Sequence, residues 1–171
     1  ALILAKKHDN FVLPAPQGFG LAAQKNYYFS HMYNCIYDCR YCFLQGMYSS
    51  ANYVLFVNYE DFFKAISDTI DKNTDTSLTF FSGYDCDSLA FEKITGFAEK
   101  ALEFFTNFSS VELELRTKSI VSETLLKRSP ISNCIVAYSL SPSNLAGVLD
   151  NKAPSIERRV NALKTLAKNG W

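Results

Sequence analysis

Cys35-Ile-Tyr-Asp-Cys39-Arg-Tyr-Cys42 is the stretch on which the reading of this chain turns. Three cysteines follow the spacing C-x3-C-x2-C inside an aromatic-rich run from Tyr27 to Phe43. Thiolates crowded this closely repel one another unless a metal or cluster neutralises them, so the grouping points to soft-metal or iron–sulfur ligation. The count of three also matters. A cubic four-iron, four-sulfur cluster (4Fe–4S) held by three cysteines keeps one iron open to another ligand. A structural zinc site closes with four nitrogen or sulfur ligands. Two alternatives stand beside the cluster at this point: a zinc knuckle that borrows Cys86, Cys134 or a histidine, and chance clustering.

Working outward, the chain has 171 residues, enough for one domain with a real core. Hydrophobic residues make up 48% and charged residues 20%, which excludes a disordered chain. With 14 Phe and 10 Tyr, much of the core volume is ring. The formal net charge is zero, so no chain-wide basic field for nucleic acid exists. No signal peptide and no membrane-spanning apolar run is read, so no membrane partner is expected. Five cysteines, three of them bunched, do not form a secreted disulfide framework, and a reducing cytoplasm is the expected compartment.

Residues 1–25 contain Pro14, Pro16, Gly18 and Gly20 and read as an irregular lead-in; Lys6, Lys7 and His8 in it read as solvated surface. Asn26 to Tyr33 reads as one strand that delivers the chain into the cysteine loop, with His31 in a polar or packing role. Tyr53–Val57 is a second β-type run. Asn58 then stands at an N-cap, with Glu60 and Asp61 in the first turn of a helix over 59–72. Leu78–Ser82 is a buried-type strand ending in Gly83, followed by a helix over 88–107. Val111–Arg116 alternates as a strand must, and Ser119–Arg128 is a short helix stopped before Pro130. Cys134–Leu140 is the last strand, and Ser155 caps a final helix with Gly170 at its C′ position. Cys134 reads as core.

Strands alternating with helices four times predict an α/β fold with a parallel sheet and right-handed crossovers, open or curled into a partial barrel. Functional residues then gather at the C-terminal ends of the strands. On the third strand Glu112, Glu114 and Arg116 share a face, and Lys118 has their parity. That polar face means either an edge strand or a barrel wall around a polar ligand. Ser82, Gly83, Lys118 and Ser139 all fall at strand ends.

The cysteine spacing, with Tyr41 just before the third cysteine, resembles the radical S-adenosylmethionine (SAM) superfamily. The resemblance implies a 4Fe–4S cluster on Cys35, Cys39 and Cys42 whose open iron binds SAM. It implies reductive cleavage to a 5′-deoxyadenosyl radical, and an electron donor such as a flavodoxin or ferredoxin. It also implies a six-unit partial (β/α) barrel, of which residues 26–171 would supply about four units, apparently truncated. A narrower resemblance, to the spore photoproduct lyase family, rests on Cys35–Gln45 with Tyr53–Asn58, Phe81–Gly96, Leu115-Arg116-Thr117-Lys118, Tyr138-Ser139-Leu140 and Ala153-Pro154-Ser155-Ile156-Glu157-Arg158-Arg159, in the family's order. That family repairs a UV-induced thymine dimer in spore DNA, so the resemblance implies a lyase, with DNA contacts through parts outside this chain. By position, Lys118 and Ser139 match SAM contacts, and Tyr41 matches the aromatic before the third cysteine.

Two positions depart from the family. Phe43 stands where the family has a tyrosine implicated in hydrogen transfer. Tyr84 stands at the hydrogen-donating cysteine, while Cys86 lies two residues on, where the family has a serine. Two residues along an extended strand return to the same face about 7 Å onward, so Cys86 could serve as donor or be a small core residue. A family member with another substrate is the alternative. Asp85 and Asp87 flank Cys86 as ribose ligands or helix caps. Lys127, Arg128, Arg158 and Arg159 read as solvated helix faces.

Overall fold

The computed structural model describes every residue, Ala1–Trp171. In chain order its elements are strands β1 (Leu2–Ala5), β2 (Leu13–Pro14), β3 (Lys25–Phe29) and β4 (Met32–Tyr33), then helix α1 (Leu44–Met47), β5 (Tyr53–Phe56) and α2 (Tyr59–Asp71). After them come β6 (Leu78–Ser82), α3 (Glu92–Thr95), α4 (Phe97–Phe105), β7 (Val111–Thr117), α5 (Glu123–Leu126), β8 (Cys134–Tyr138), α6 (Ser143–Leu149) and α7 (Ile156–Lys168). Strands β3, β6, β7 and β8 pair in parallel, and β2 joins antiparallel to β3, giving a five-stranded sheet in the order β2-β3-β6-β7-β8. A small second sheet has the order β1-β5-β4. The expected α/β architecture with a parallel sheet is therefore present.

The core lies between the large sheet and the helices that cross it. Phe97, Ala98, Ala101, Leu102 and Phe105 recur at helical spacing on α4 and are buried. They meet Leu78 and Phe80 of β6 and Leu113 and Leu115 of β7, which are buried as well. From α2, Phe62 and Ile66 complete the layer. Each of the Phe, Leu and Ile side chains contributes roughly 1.5–3 kcal/mol by leaving water.

Several elements differ from the sequence reading. The lead-in contains a strand: Leu2–Ala5 pairs in parallel with Tyr53–Phe56, and Ala1 donates from its amino group to Asn52 Oδ1 at 2.9 Å. Nor is Lys7 solvated: it is buried, with Nζ 2.6 Å from Tyr33 Oη and over the rings of Tyr33 and Phe56. The Asn26–Tyr33 run is two strands in different sheets, because the chain turns at Ser30 and His31 to enter the second sheet as β4. Asn58 heads α2 without capping it; its Oδ1 instead accepts from the Lys7 backbone N–H at 2.9 Å. The helix expected over 88–107 breaks at Gly96, whose φ of 56° lies in the left-handed region that a glycine occupies at little cost. The helix over 119–128 shrinks to the single turn α5. Helix α6 was not expected.

Two corrections bear on the site. β7 lies between β6 and β8, so the edge-strand alternative for its polar face is removed. Arg159 is not solvated: its side chain is 0% exposed and ion-paired to Asp150.

Candidate functional site

The cysteine loop follows β4. Asn34 (φ 70°) and Asp38 (φ 52°) take left-handed conformations at its start and middle, which Asn and Asp tolerate because their short side chains bond locally. Asn34 Nδ2 donates to the carbonyls of Ser50 and Asn52, closing the loop on itself. Asp38 accepts from Gln45 Nε2 at 2.7 Å and pairs with Lys152 at 3.1 Å. Two backbone bonds tie the loop to the end of α6: Arg40 N–H to Leu149 O, and Lys152 N–H to Tyr37 O, both 2.9 Å.

Cys35, Cys39 and Cys42 are free thiols and line one cavity of about 140 Å³. Gly83, Tyr84, Cys86, Lys118 and Ser139 line the same cavity. The ends of β6, β7 and β8 and the cysteine loop thus converge, as expected of a parallel sheet. No group of three or more His, Cys, Asp or Glu side chains is arranged to hold a single metal ion. The donor set fits a cluster: three cysteine thiols line one space, and each thiolate of a four-iron cluster sits on its own iron. Burial pushes the Cys35 thiol up to about 12, with Asp87 adding to the rise. Burial also raises Cys39, while the Lys118 ammonium opposes the rise.

Lys118 is placed from both sides. Its backbone N–H donates to Asp87 Oδ2 at 2.7 Å, and its Nζ stands 5.3 Å from the Tyr41 ring centre. Burial alone would lower its pKa; Tyr41 and Cys39 beside it hold the ammonium above its ordinary value. Tyr41 itself does not line the cavity. Its hydroxyl donates to Asp150 Oδ1 at 2.7 Å. Ser139 receives structure through its backbone: its N–H donates to Thr117 O, and its carbonyl accepts from Arg159 Nη1, both 2.9 Å. Gly83 has φ 78°, and a Cβ there would lie 2.7 Å from Ser88 Oγ, so the sharp turn off β6 admits only glycine without displacement.

The remaining candidates divide. Tyr84 contacts Phe43 (ring centres 5.5 Å apart) and Tyr28 (4.4 Å), bringing the two departures from the family pattern together. Cys86 is buried, its thiol pushed well up by burial, with Sγ 3.9 Å from His31 Nδ1. His31 stacks on Phe97 with ring centres 3.8 Å apart, and burial lowers it to about 3, so it is neutral packing. Ser82 does not line the cysteine cavity but an adjoining one. Cys134 lies in neither.

Asp87 does more than the sequence suggested. It accepts from the N–H groups of Leu89, Ala90 and Lys118 and from Thr117 Oγ1, so it caps the turn after β6 and fastens β7 to it. Burial raises its pKa against those bonds. Arg159 was missed although its signal was present. It lies three residues after the half-buried Ile156 and seven before the buried Leu166, on the helix stripe that faces inward, whereas Leu163, expected inward, is exposed. It donates to Pro154 O at 2.7 Å, Ser139 O at 2.9 Å and Asp150 Oδ2 at 2.7 Å.

A family model described as spore photoproduct lyase matches residues 23–171. Among solved structures, a cysteine-to-serine variant of spore photoproduct lyase superposes with a TM-score of 0.87 at 19% identity, over 99% of this chain and 48% of that one. Spore photoproduct lyase complexed with dinucleoside spore photoproduct gives a TM-score of 0.85 at 19% identity with the same coverage. A variant with bound AdoMet and dinucleoside spore photoproduct gives the same three values. These likenesses establish the fold, and this chain spans about half the length of the structures it matches. No curated protein sequence matches the chain. No helix is long and apolar enough to cross a membrane.

Proposed function

The chain belongs to the spore photoproduct lyase family, and from that premise we propose that residues 26–171 form part of a radical SAM enzyme core acting on a thymine dimer in DNA. The observation that carries the reading is the meeting of three free thiols with Gly83, Lys118 and Ser139 around one cavity. In this reading Cys35, Cys39 and Cys42 hold a 4Fe–4S cluster. When bound, the cluster and SAM supply a 5′-deoxyadenosyl radical that takes hydrogen from the substrate, with the electron coming from a flavodoxin or ferredoxin in a reducing cytoplasm.

The chain's own residues bind and orient. Lys118 offers its ammonium to a carboxylate at the cavity, and Ser139 its hydroxyl. Gly83 makes the turn off β6 that brings Tyr84 and Cys86 to the cavity, a turn in which a side chain would press on Ser88. Tyr41 steadies Lys118 through its ring and Asp150 through its hydroxyl. Tyr84 and Cys86 are the candidate hydrogen donors on the cavity wall.

The contact between Phe43 and Tyr84 favours a second reading, a radical SAM enzyme of the same family with a different substrate, because neither residue is the one the family uses there.

The test is anaerobic reconstitution with iron and sulfide, reduction, addition of SAM and chromatography for 5′-deoxyadenosine. Formation is expected. In parallel, Cys39→Ala should lose the bound iron while Cys134→Ala keeps it. Full iron content in the Cys39 variant would sink the ligand assignment.

A further inference from the structure

The cysteine cavity has a fourth thiol on its wall. Cys86 lines it together with Cys35, Cys39 and Cys42. All of these thiols are free, and Cys86 is only 9% exposed. Its own turn fixes its place. The Gly83 N–H donates to Phe29 O at 3.1 Å, the Asp85 N–H to Ser30 Oγ at 3.1 Å and the Cys86 N–H to Gly83 O at 3.4 Å. Behind the sulfur, His31 Nδ1 stands 3.9 Å away. Burial pushes the Cys86 thiol up, and the nearby Cys35 sulfur adds to the rise.

A four-iron cluster on three cysteines has one iron without a protein ligand, and the other groups on the wall differ in what they offer it. Cluster iron prefers thiolate to harder donors. The two carboxylates on the wall are already committed. Asp38 holds Gln45 and Lys152, and Asp87 holds Leu89, Ala90, Thr117 and Lys118. Thr117, Ser139 and the tyrosines offer neutral hydroxyls, which are hard, weak donors to iron. Beyond the three loop cysteines, Cys86 alone offers sulfur, and its one polar neighbour is the long contact to His31. A fourth thiolate adds a negative charge, which the Lys118 ammonium on the same wall offsets.

We propose that Cys86 is a displaceable fourth ligand of the cluster, its thiolate closing the iron left open by Cys35, Cys39 and Cys42 until SAM takes that position. The inference rests on the reading above for the cluster and for SAM. On ligation an iron–sulfur bond forms and the thiol proton passes to water, as for any cysteine ligand. When SAM arrives that bond breaks and the sulfur regains a proton; no electron moves in either step. The thiol freed in this way is the candidate hydrogen donor described above, so the two roles of Cys86 follow one another.

The test uses the reconstituted protein without SAM, mild oxidation with ferricyanide, and electron paramagnetic resonance with an iron count. A corner iron that lacks a protein ligand is lost on oxidation and gives a 3Fe–4S signal. The unaltered chain and Cys134→Ala should keep their iron, whereas Cys86→Ser and Cys86→Ala should give a signal several times larger. SAM, titrated against the cluster's absorbance, should bind Cys86→Ala about threefold or more tightly, because no thiolate then competes for the iron. Equal 3Fe–4S signals in all four proteins, unchanged or weaker SAM binding in Cys86→Ala, or loss of all iron from folded Cys86 variants overturns the inference. If neither Cys86 variant folds, the unaltered chain decides: a ready 3Fe–4S signal from it overturns the inference and its absence upholds it. Protection by Cys86 with SAM bound but not cleaved upholds this inference and removes the radical reading; SAM cleavage with no protection does the reverse. A chain that binds no iron removes both.

Discussion

Two ion pairs in this molecule have the same length and a buried carboxylate each, and differ at the arginine. Arg159 Nη2 to Asp150 Oδ2 and Arg116 Nε to Glu114 Oε1 are both 2.7 Å. The Arg159 side chain is wholly buried, and its other nitrogens are committed to the carbonyls of Pro154 and Ser139. Arg116 has one partner and opens onto a cavity. Distance therefore does not tell the two apart; water access and partner count do. The first pair fastens α7 to the end of α6, and Arg159 also holds the end of β8 by donating to Ser139 O. The second leaves its arginine half open.

The largest expected effect comes from breaking the buried pair. Arg159→Met leaves Asp150 buried without its cation and should cost about 3–5 kcal/mol, read from the urea midpoint. Adding Asp150→Leu should recover a large part of that loss. A single-variant cost no larger than that of Arg116→Met would make the two pairs equivalent and remove the contrast.

Acid should sharpen the comparison next. Burial alone would raise the pKa of Asp150, but Arg159 and Tyr41 hold it below its ordinary value. A carboxyl lowered in the folded state contributes stability above its unfolded pKa, near 4, and loses it as pH falls through the folded value. The midpoint of unfolding should therefore drop in that acidic window, and the part due to this pair should be missing in Arg159→Met. An identical acid profile in both proteins would contradict it.

The smallest effect belongs to the open pair. Arg116→Met should cost less than Arg159→Met, about 1–3 kcal/mol, since the Arg116 side chain is 55% exposed and has one partner, while the buried Glu114 loses its cation. A loss as large as that at Arg159 would mean that Arg116 is structural.

Much of the fold was legible because its signals are local. The alternation in Val111–Thr117, the apolar run Leu78–Ser82 and the helical spacing on α2, α4 and α7 follow from the side-chain periods of 2 and 3.6. What was not legible depends on distant partners. Leu2–Ala5 becomes a strand only because Tyr53–Phe56, about fifty positions on, lies beside it. Helix α6 begins after Pro142 and carries Gly147, so its pattern is weak on its own. The loop and the strand-end residues of the site were readable from spacing and parity. The ties that hold them, Asp87 to Lys118 and Arg159 to Ser139, join elements that no short window contains. Arg159 is the exception, since its helix stripe was open to reading.

The bonds between the cysteine loop and the end of α6 fix the order in which the molecule can be completed during synthesis. Tyr37 and Arg40 find their backbone partners in Lys152 and Leu149, and the anchor of that region, Arg159, comes later still. A ribosome adding roughly 5–20 residues per second reaches those partners several seconds after the three thiols have been made. Until then the loop lacks its far wall, and the thiols are open to oxidation and to stray metal. The nascent chain thus passes through a window in which its most reactive segment is the least protected.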